Sequence, residues 1–205
     1  MEKVLKKLAV FASGRGTNFE NIARHVKKKK IRAEIGLLFS DNPQAPALEK
    51  AKQYKINTLV LPPKNYPSKE AFEKELVRIL KDRKIDYVIL AGYMRILGPD
   101  LIRAFPQRIV NIHPALLPAF KGAHAIRDAY EYGARVTGVT VHFVDEEVDH
   151  GPIILQKAVE IKRRYSLERL EKKVHRAEYD LYPRAIRLLV SGKLKVVARK
   201  VLFFR

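Results

Sequence analysis

Apolar residues recur along this chain in two alternating rhythms, and the alternation itself predicts the elements. Residues 8–12 form a short apolar run bounded by Ser13-Gly14-Arg15-Gly16-Thr17-Asn18, after which Phe19, Ile22, Ala23 and Val26 recur at helical spacing. This reads as strand, loop, helix, with the helix starting near Thr17 and ending at the basic run 27–30, which complements the negative end of its dipole. The pattern repeats with 33–39 as strand, 45–54 as helix, 57–61 as strand, and 69–81 as an amphipathic helix turning Phe72, Leu76, Ile79 and Leu80 inward. Residues 87–91 are almost continuously apolar, as suits a strand covered on both faces.

After residue 113 the rhythm changes. Residues 125–132 predict a helix ending at Gly133, and 136–144 and 152–161 predict two long strands joined by an acidic loop. Two strands with no helix between them suggest an antiparallel pair. Ser166 suits the N-cap of a long helix reaching about Val190, with Glu168 at N2 and Ser191-Gly192 closing it, and 194–205 reads as a terminal extended segment. With no repeat, low-complexity tract or linker, residues 1–205 are expected to form one domain. The expected class is α/β: a doubly wound, mainly parallel, Rossmann-like sheet with a late antiparallel strand pair and a long C-terminal helix.

Composition narrows the chemistry. Hydrophobic residues make up 47% and charged residues 31%, which suits a soluble globular protein and excludes a disordered chain. With no cysteine, thiol catalysis, thiolate metal sites and disulfides are excluded. The formal charge of +19 raises the expectation of a polyanionic partner, but the basic residues are spread over the whole length instead of forming one arm. No specific nucleic-acid partner is expected. The lysines near the start precede a strand-length apolar run that enters a Gly-rich loop, not a cleavage site, and no apolar stretch nears the roughly 20 residues of a membrane span. A cytoplasmic protein without a membrane partner is expected.

Asn111-Ile112-His113-Pro114 is the most informative run. In a strand over 109–113, the period of two puts Asn111 and His113 on one face, and Pro114 favours an extended backbone at His113. An amide and an imidazole side by side suit oxyanion stabilisation and proton transfer at a carbonyl-derived centre, and so acyl or formyl transfer. Asp149, in the acidic loop 145–149 ahead of Gly151-Pro152, is the candidate carboxylate that would hold the ring and raise its pKa. The loop 13–18 opens a helix where amides and dipole hold a phosphate, but it lacks the dinucleotide and NTPase fingerprints, so a phosphomonoester fits and a nucleotide cofactor does not. Residues 91–99 leave the end of a central strand and would border the pocket, with apolar side chains suited to a flat heteroaromatic ring. The histidines lack metal-ligand spacing, and no Gly-x-Ser-x-Gly elbow occurs, so neither a metal nor a serine triad is expected.

Taken together, Ser13 to Asn18, Ala91 to Leu97, Asn111 to Pro118, Thr137 to Asp145 and Asp149 to Ile154 resemble, over essentially the whole chain, the glycinamide ribonucleotide formyltransferase family. The family usually has serine where this chain has Ala115, a difference touching a local loop hydrogen bond and not the trio. The resemblance implies formyl transfer from the cosubstrate 10-formyltetrahydrofolate to phosphoribosylglycinamide, catalysed by Asn111, His113 and Asp149. It implies that Gly16, Thr17, Asn18 and Gly92 bind the acceptor with His175 and Glu178 at its ribose end. Lys69, Met94, Arg95, Ile96 and Leu97, with Asn111, Asp145, Glu146, Glu147, Val148 and Asp149, would contact the folate. A monomer or homodimer is expected. The competing expectations are a methionyl-tRNA formyltransferase, whose relatives carry a further RNA-binding domain, and a basic α/β nucleic-acid-binding module without catalysis. The latter leaves the order of Asn111, His113 and Asp149 unexplained.

Overall fold

Among the described residues, 4–204, the computed structural model has nine strands and six α-helices. They fall into two compact units, one ending at Val110 and the other beginning at Asn111. Residues 1–3 and Arg205, the outer end of the terminal segment, lie outside the described residues.

The first unit runs β1 (Lys6–Phe11), α1 (Thr17–Lys27), β2 (Ala33–Ser40), α2 (Ala47–Gln53), β3 (Thr58–Val60), α3 (Lys69–Asp82), β4 (Tyr87–Leu90) and α4 (Pro99–Ala104). Its strands lie in the order β3-β2-β1-β4 and all pair in parallel. Leu8, Val10 and Phe11 of β1 and Leu37, Leu38 and Phe39 of β2 are fully buried, which accounts for the continuous apolar runs. Helix α1 lays Phe19, Ile22 and Ala23 on this core and α3 lays Phe72, Leu76 and Leu80, while Ile79 stays half-covered. Ser68 caps α3, its hydroxyl accepting from the Ala71 N–H at 3.1 Å, an interaction worth about 1 kcal/mol. Helix α4 escapes the sequence reading because its six residues bury only Leu101 and so show no period.

Strand β5 (Ile109–His113) carries the chain into the second unit, followed by α5 (Ala125–Glu131), β6 (Val136–Phe143), β7 (Ile153–Glu160), α6 (Leu167–Val190), β8 (Leu194–Val197) and β9 (Lys200–Phe203). The lateral order here is β5-β6-β7-β9-β8. Strands β6 and β7 are antiparallel, as their adjacency in sequence predicts, with Val141 opposite Leu155 but His142 opposite Ile153. Ile154 is the extra residue of a bulge, and bulges re-aim the side chains beside them. Ser166 accepts from the Arg169 N–H at 3.2 Å and caps α6, which ends at Val190 and buries Leu170, Val174, Leu181, Tyr182, Ile186 and Leu189. Beyond it, the expected extended segment is instead a hairpin: β8 and β9 pair antiparallel around Ala198-Arg199, and β9 pairs in parallel with β7 through Ile153 and Lys200. Its turn has neither glycine nor asparagine, and Ala198 takes the left-handed conformation at φ 52°, so the usual turn signal is missing. The class is the α/β one expected, mainly parallel with a late antiparallel pair and a long C-terminal helix. No described helix is long and apolar enough to cross a membrane.

Candidate active site

Strand β5 begins at Ile109 and ends at His113, and the period of two brings Asn111 and His113 to one place. The acidic loop after β6 brings Asp149 to them. One carboxylate oxygen, Oδ2, lies 3.3 Å from His113 Nδ1 and accepts from the Gly122 N–H at 2.9 Å. The other, Oδ1, lies 3.7 Å from His142 Nε2 and accepts from the Asn111 amide at 3.4 Å. The Asn111 amide nitrogen is also 3.4 Å from His142 Nε2. His142 Nδ1 sits 2.7 Å from the Phe143 carbonyl and donates to it. His113 Nε2 is 2.8 Å from the Phe120 carbonyl and therefore donates to it.

Burial decides the charge states. His113 is only 3% exposed, and that desolvation lowers its pKa below the ordinary 6.5, although the Phe120 carbonyl and the charges of Asp149 and Glu178 pull the other way. The sequence led us to expect the opposite direction. Asp149 does favour the imidazolium, but removing a charged ring from water costs more than one half-screened carboxylate returns. Burial works against charge on Asp149 too, yet hydrogen bonding to His142 and to the Gly122 N–H, with the charge His113 carries once acid protonates it, outweighs it, and the acid sits below 3.8. The resting site therefore holds a carboxylate beside a neutral imidazole. Asp149 carries this charge on a left-handed backbone, φ 49°.

The loop behind β5 is held by groups that the sequence reading passed over. Thr140 donates its hydroxyl to the Ala115 carbonyl at 2.7 Å and accepts from the Leu117 N–H at 3.0 Å. Gln156 braces the same segment through Thr140 and the Leu117 carbonyl, both at 3.0 Å. A main-chain carbonyl is bound at Ala115 even though its side chain has no hydroxyl. His142 was missed because every residue of β6 after Val136 is buried, so alternation does not single it out. On helix α6, His175 Nδ1 lies 2.9 Å from Glu178 Oε2, and Glu178 is close enough to act electrostatically on His113.

In the first unit, Gly16 is the N-cap of α1 at φ 65°, and a Cβ there would come within 2.5 Å of Ala47 Cβ, so both backbone and packing require glycine. Gly16 has no side chain, so α1 receives no side-chain cap from its N-cap residue. Ser13 joins this loop to residues 92–97: its hydroxyl donates to Asp41 at 2.6 Å and accepts from the Met94 N–H at 3.1 Å, and its own N–H donates to the Gly92 carbonyl at 3.0 Å. Met94 and Ile96 are 77% and 66% exposed, an unusual investment of apolar surface in water that suits a ligand slot. Arg95 is exposed, Leu97 is half-buried, and Glu73 takes the Gly98 N–H at 2.5 Å to fix the segment's far end. Lys69 is exposed in the first turn of α3, where a cation gains nothing from the helix dipole. In the acidic loop, Glu146, Glu147 and Val148 are exposed and Asp145 is half-buried.

Residues 6–186 match the formyl transferase family. A phosphoribosylglycinamide formyltransferase of Bacillus subtilis is 44% identical over 91% of this chain and 96% of its own length. The crystal structure of phosphoribosylglycinamide formyltransferase from Bacillus halodurans is 50% identical, with a TM-score of 0.88 over 91% of this chain and 96% of that one. Glycinamide ribonucleotide transformylase 1 from Symbiobacterium toebii is 40% identical, with a TM-score of 0.95 over 98% and 95%. Matches of this depth over nearly the full length of both partners place the chain in the formyl transferase family, among the phosphoribosylglycinamide formyltransferases.

Proposed function

We propose that this protein transfers the formyl group of 10-formyltetrahydrofolate to the amine of 5'-phosphoribosylglycinamide, a step of purine biosynthesis. The observation that carries the reading is the meeting of Asn111, His113 and Asp149 around one buried carboxylate, in a chain of this family. In this mechanism the amine attacks the formyl carbon and a tetrahedral oxyanion forms. The Asn111 amide donates to that oxyanion, a contact worth roughly 3 kcal/mol of barrier. Neutral His113 takes up the proton lost by the amine, and the resulting imidazolium, stabilised by Asp149, gives a second donor to the same oxygen. Collapse returns the proton to the departing folate nitrogen, so no net proton is consumed.

Gly16, Thr17 and Asn18 hold the phosphate through first-turn amides, Gly92 adds a main-chain contact, and His175 and Glu178 hold the ribose. The exposed apolar pair Met94 and Ile96, with Arg95, Leu97, Lys69 and loop 145–149, receives the folate. No metal or nucleotide enters this scheme. The names of the matched relatives favour this acceptor over initiator tRNA. The test is a spectroscopic assay of formyl transfer from a folate donor, with phosphoribosylglycinamide and charged initiator tRNA compared as acceptors. Transfer to the small acceptor alone is expected; transfer to tRNA alone would overturn the reading.

A further inference from the structure

His150, the residue after Asp149, is gripped from outside its loop. Arg199, in the turn between β8 and β9, places Nη1 2.8 Å from His150 Nε2 and donates Nη2 to the His150 carbonyl at 2.7 Å. The other ring nitrogen, Nδ1, lies 2.8 Å from Asp145 Oδ2. An arginine can only donate, so His150 accepts at Nε2 and donates from Nδ1 to Asp145. One guanidinium thus holds both the side chain and the main chain of His150 and, through the ring, the start of the acidic loop.

The loop is also held at the tip of Asp149, by the Gly122 N–H and the Asn111 amide, and by bonds within itself. Phe143 donates its N–H to the Pro152 carbonyl at 2.9 Å, closing the base. Gly151 completes this closure, because a Cβ there would fall 1.9 Å from the Phe143 carbonyl oxygen. Asp145 Oδ1 accepts from the Glu147 N–H at 3.2 Å. Glu146 to Val148 are exposed between these points, and Arg199 adds a tie from the β8–β9 hairpin beside the contacts Asp149 makes itself.

We propose that Arg199 is a positioning residue for formyl transfer: by clamping His150 it fixes the acidic loop and with it the orientation of the Asp149 carboxylate. This rests on the activity proposed above. The Gly122 and Asn111 contacts hold only the oxygens of Asp149, so a loop released at His150 lets Oδ2 drift from His113, and displacement of about 1 Å near reacting groups costs up to about a hundredfold in rate. The planar fork matters as well as the charge, so lysine is an incomplete replacement.

Steady-state kinetics of Arg199→Gln, Arg199→Lys, His150→Ala and the Arg199→Gln/His150→Ala double variant test this. Arg199→Gln is expected to lower kcat about tenfold and raise KM for the formyl donor about fivefold, with KM for the phosphorylated acceptor within about twofold of the parent. Arg199→Lys should recover part of the loss, and the double variant should be no worse than the worse single one. Parental kinetics in Arg199→Gln, or additive losses with both KM values rising together, would overturn the proposal. Should the parent protein show no formyl transfer, the activity reading falls by itself. Amide hydrogen exchange over residues 145–150 then decides the clamp, with faster exchange in Arg199→Gln supporting it and unchanged exchange overturning it.

Discussion

The Gly-rich loop of the first unit and the Asn111, His113 and Asp149 cluster of the second represent opposite ways of building a polar site. The loop offers main chain: a left-handed glycine at φ 65° and the start of a helix, with the Ser13 hydroxyl bracing it from behind. The cluster works with side chains, each held by a neighbour, on a strand and a loop whose backbones merely deliver them. The first kind is damaged by whatever disturbs φ or packing, the second by changing single functional groups.

Four experiments sharpen this contrast. The largest effect is expected from His113→Ala, which should lower kcat at least about a hundredfold with an unchanged circular dichroism spectrum; turnover near the parental value would remove His113 from the chemistry. Gly16→Ala should raise KM for the phosphorylated acceptor about tenfold or more and lower the melting temperature, since alanine meets both the positive φ and Ala47. An unphosphorylated acceptor, already weakly bound, should respond little to the same change.

The pH dependence gives the third experiment. His113 and Asp149 both have pKa values lowered in the folded chain, from 6.5 and 3.8 respectively. The unfolded chain therefore takes up protons first on acidification, and stability from these groups is complete above pH 6.5 and lost as pH falls through the folded values. On the proposed mechanism, in which neutral His113 accepts the proton, kcat/KM should fall on an acidic limb below pH 6.5. A limb above that value would reverse the assigned ring charge. The smallest effect is expected from Thr17→Val, with KM for the acceptor changing less than about fivefold if amides hold the phosphate. A much larger change would give the side chain a role that the contrast denies it.

The same division explains how much was legible before any coordinates. Apolar patterning located most strands as continuous buried runs and the long helices as one buried face, and β5 ends at His113, two residues past Asn111. The junction of Asp149 with that pair was legible from chemistry and family resemblance, not from spacing. His142 and Thr140 were not, since a strand buried along nearly its whole length does not mark which polar residue faces a site. The hairpin of β8 and β9, and hence Arg199, lacked a turn signal. The sign of the His113 shift was missed because a sequence shows neighbouring charges but not how much water has been excluded.

The main chain at Asp149 is left-handed. A non-glycine residue with φ 49° occupies a conformation that L-amino acids adopt reluctantly. Asp149→Gly should relieve that reluctance while deleting the carboxylate, yielding a protein that survives heating about as well as its parent and yet turns over almost nothing. Folding and turnover thus place different demands on a single residue, one on its main chain and the other on its carboxylate.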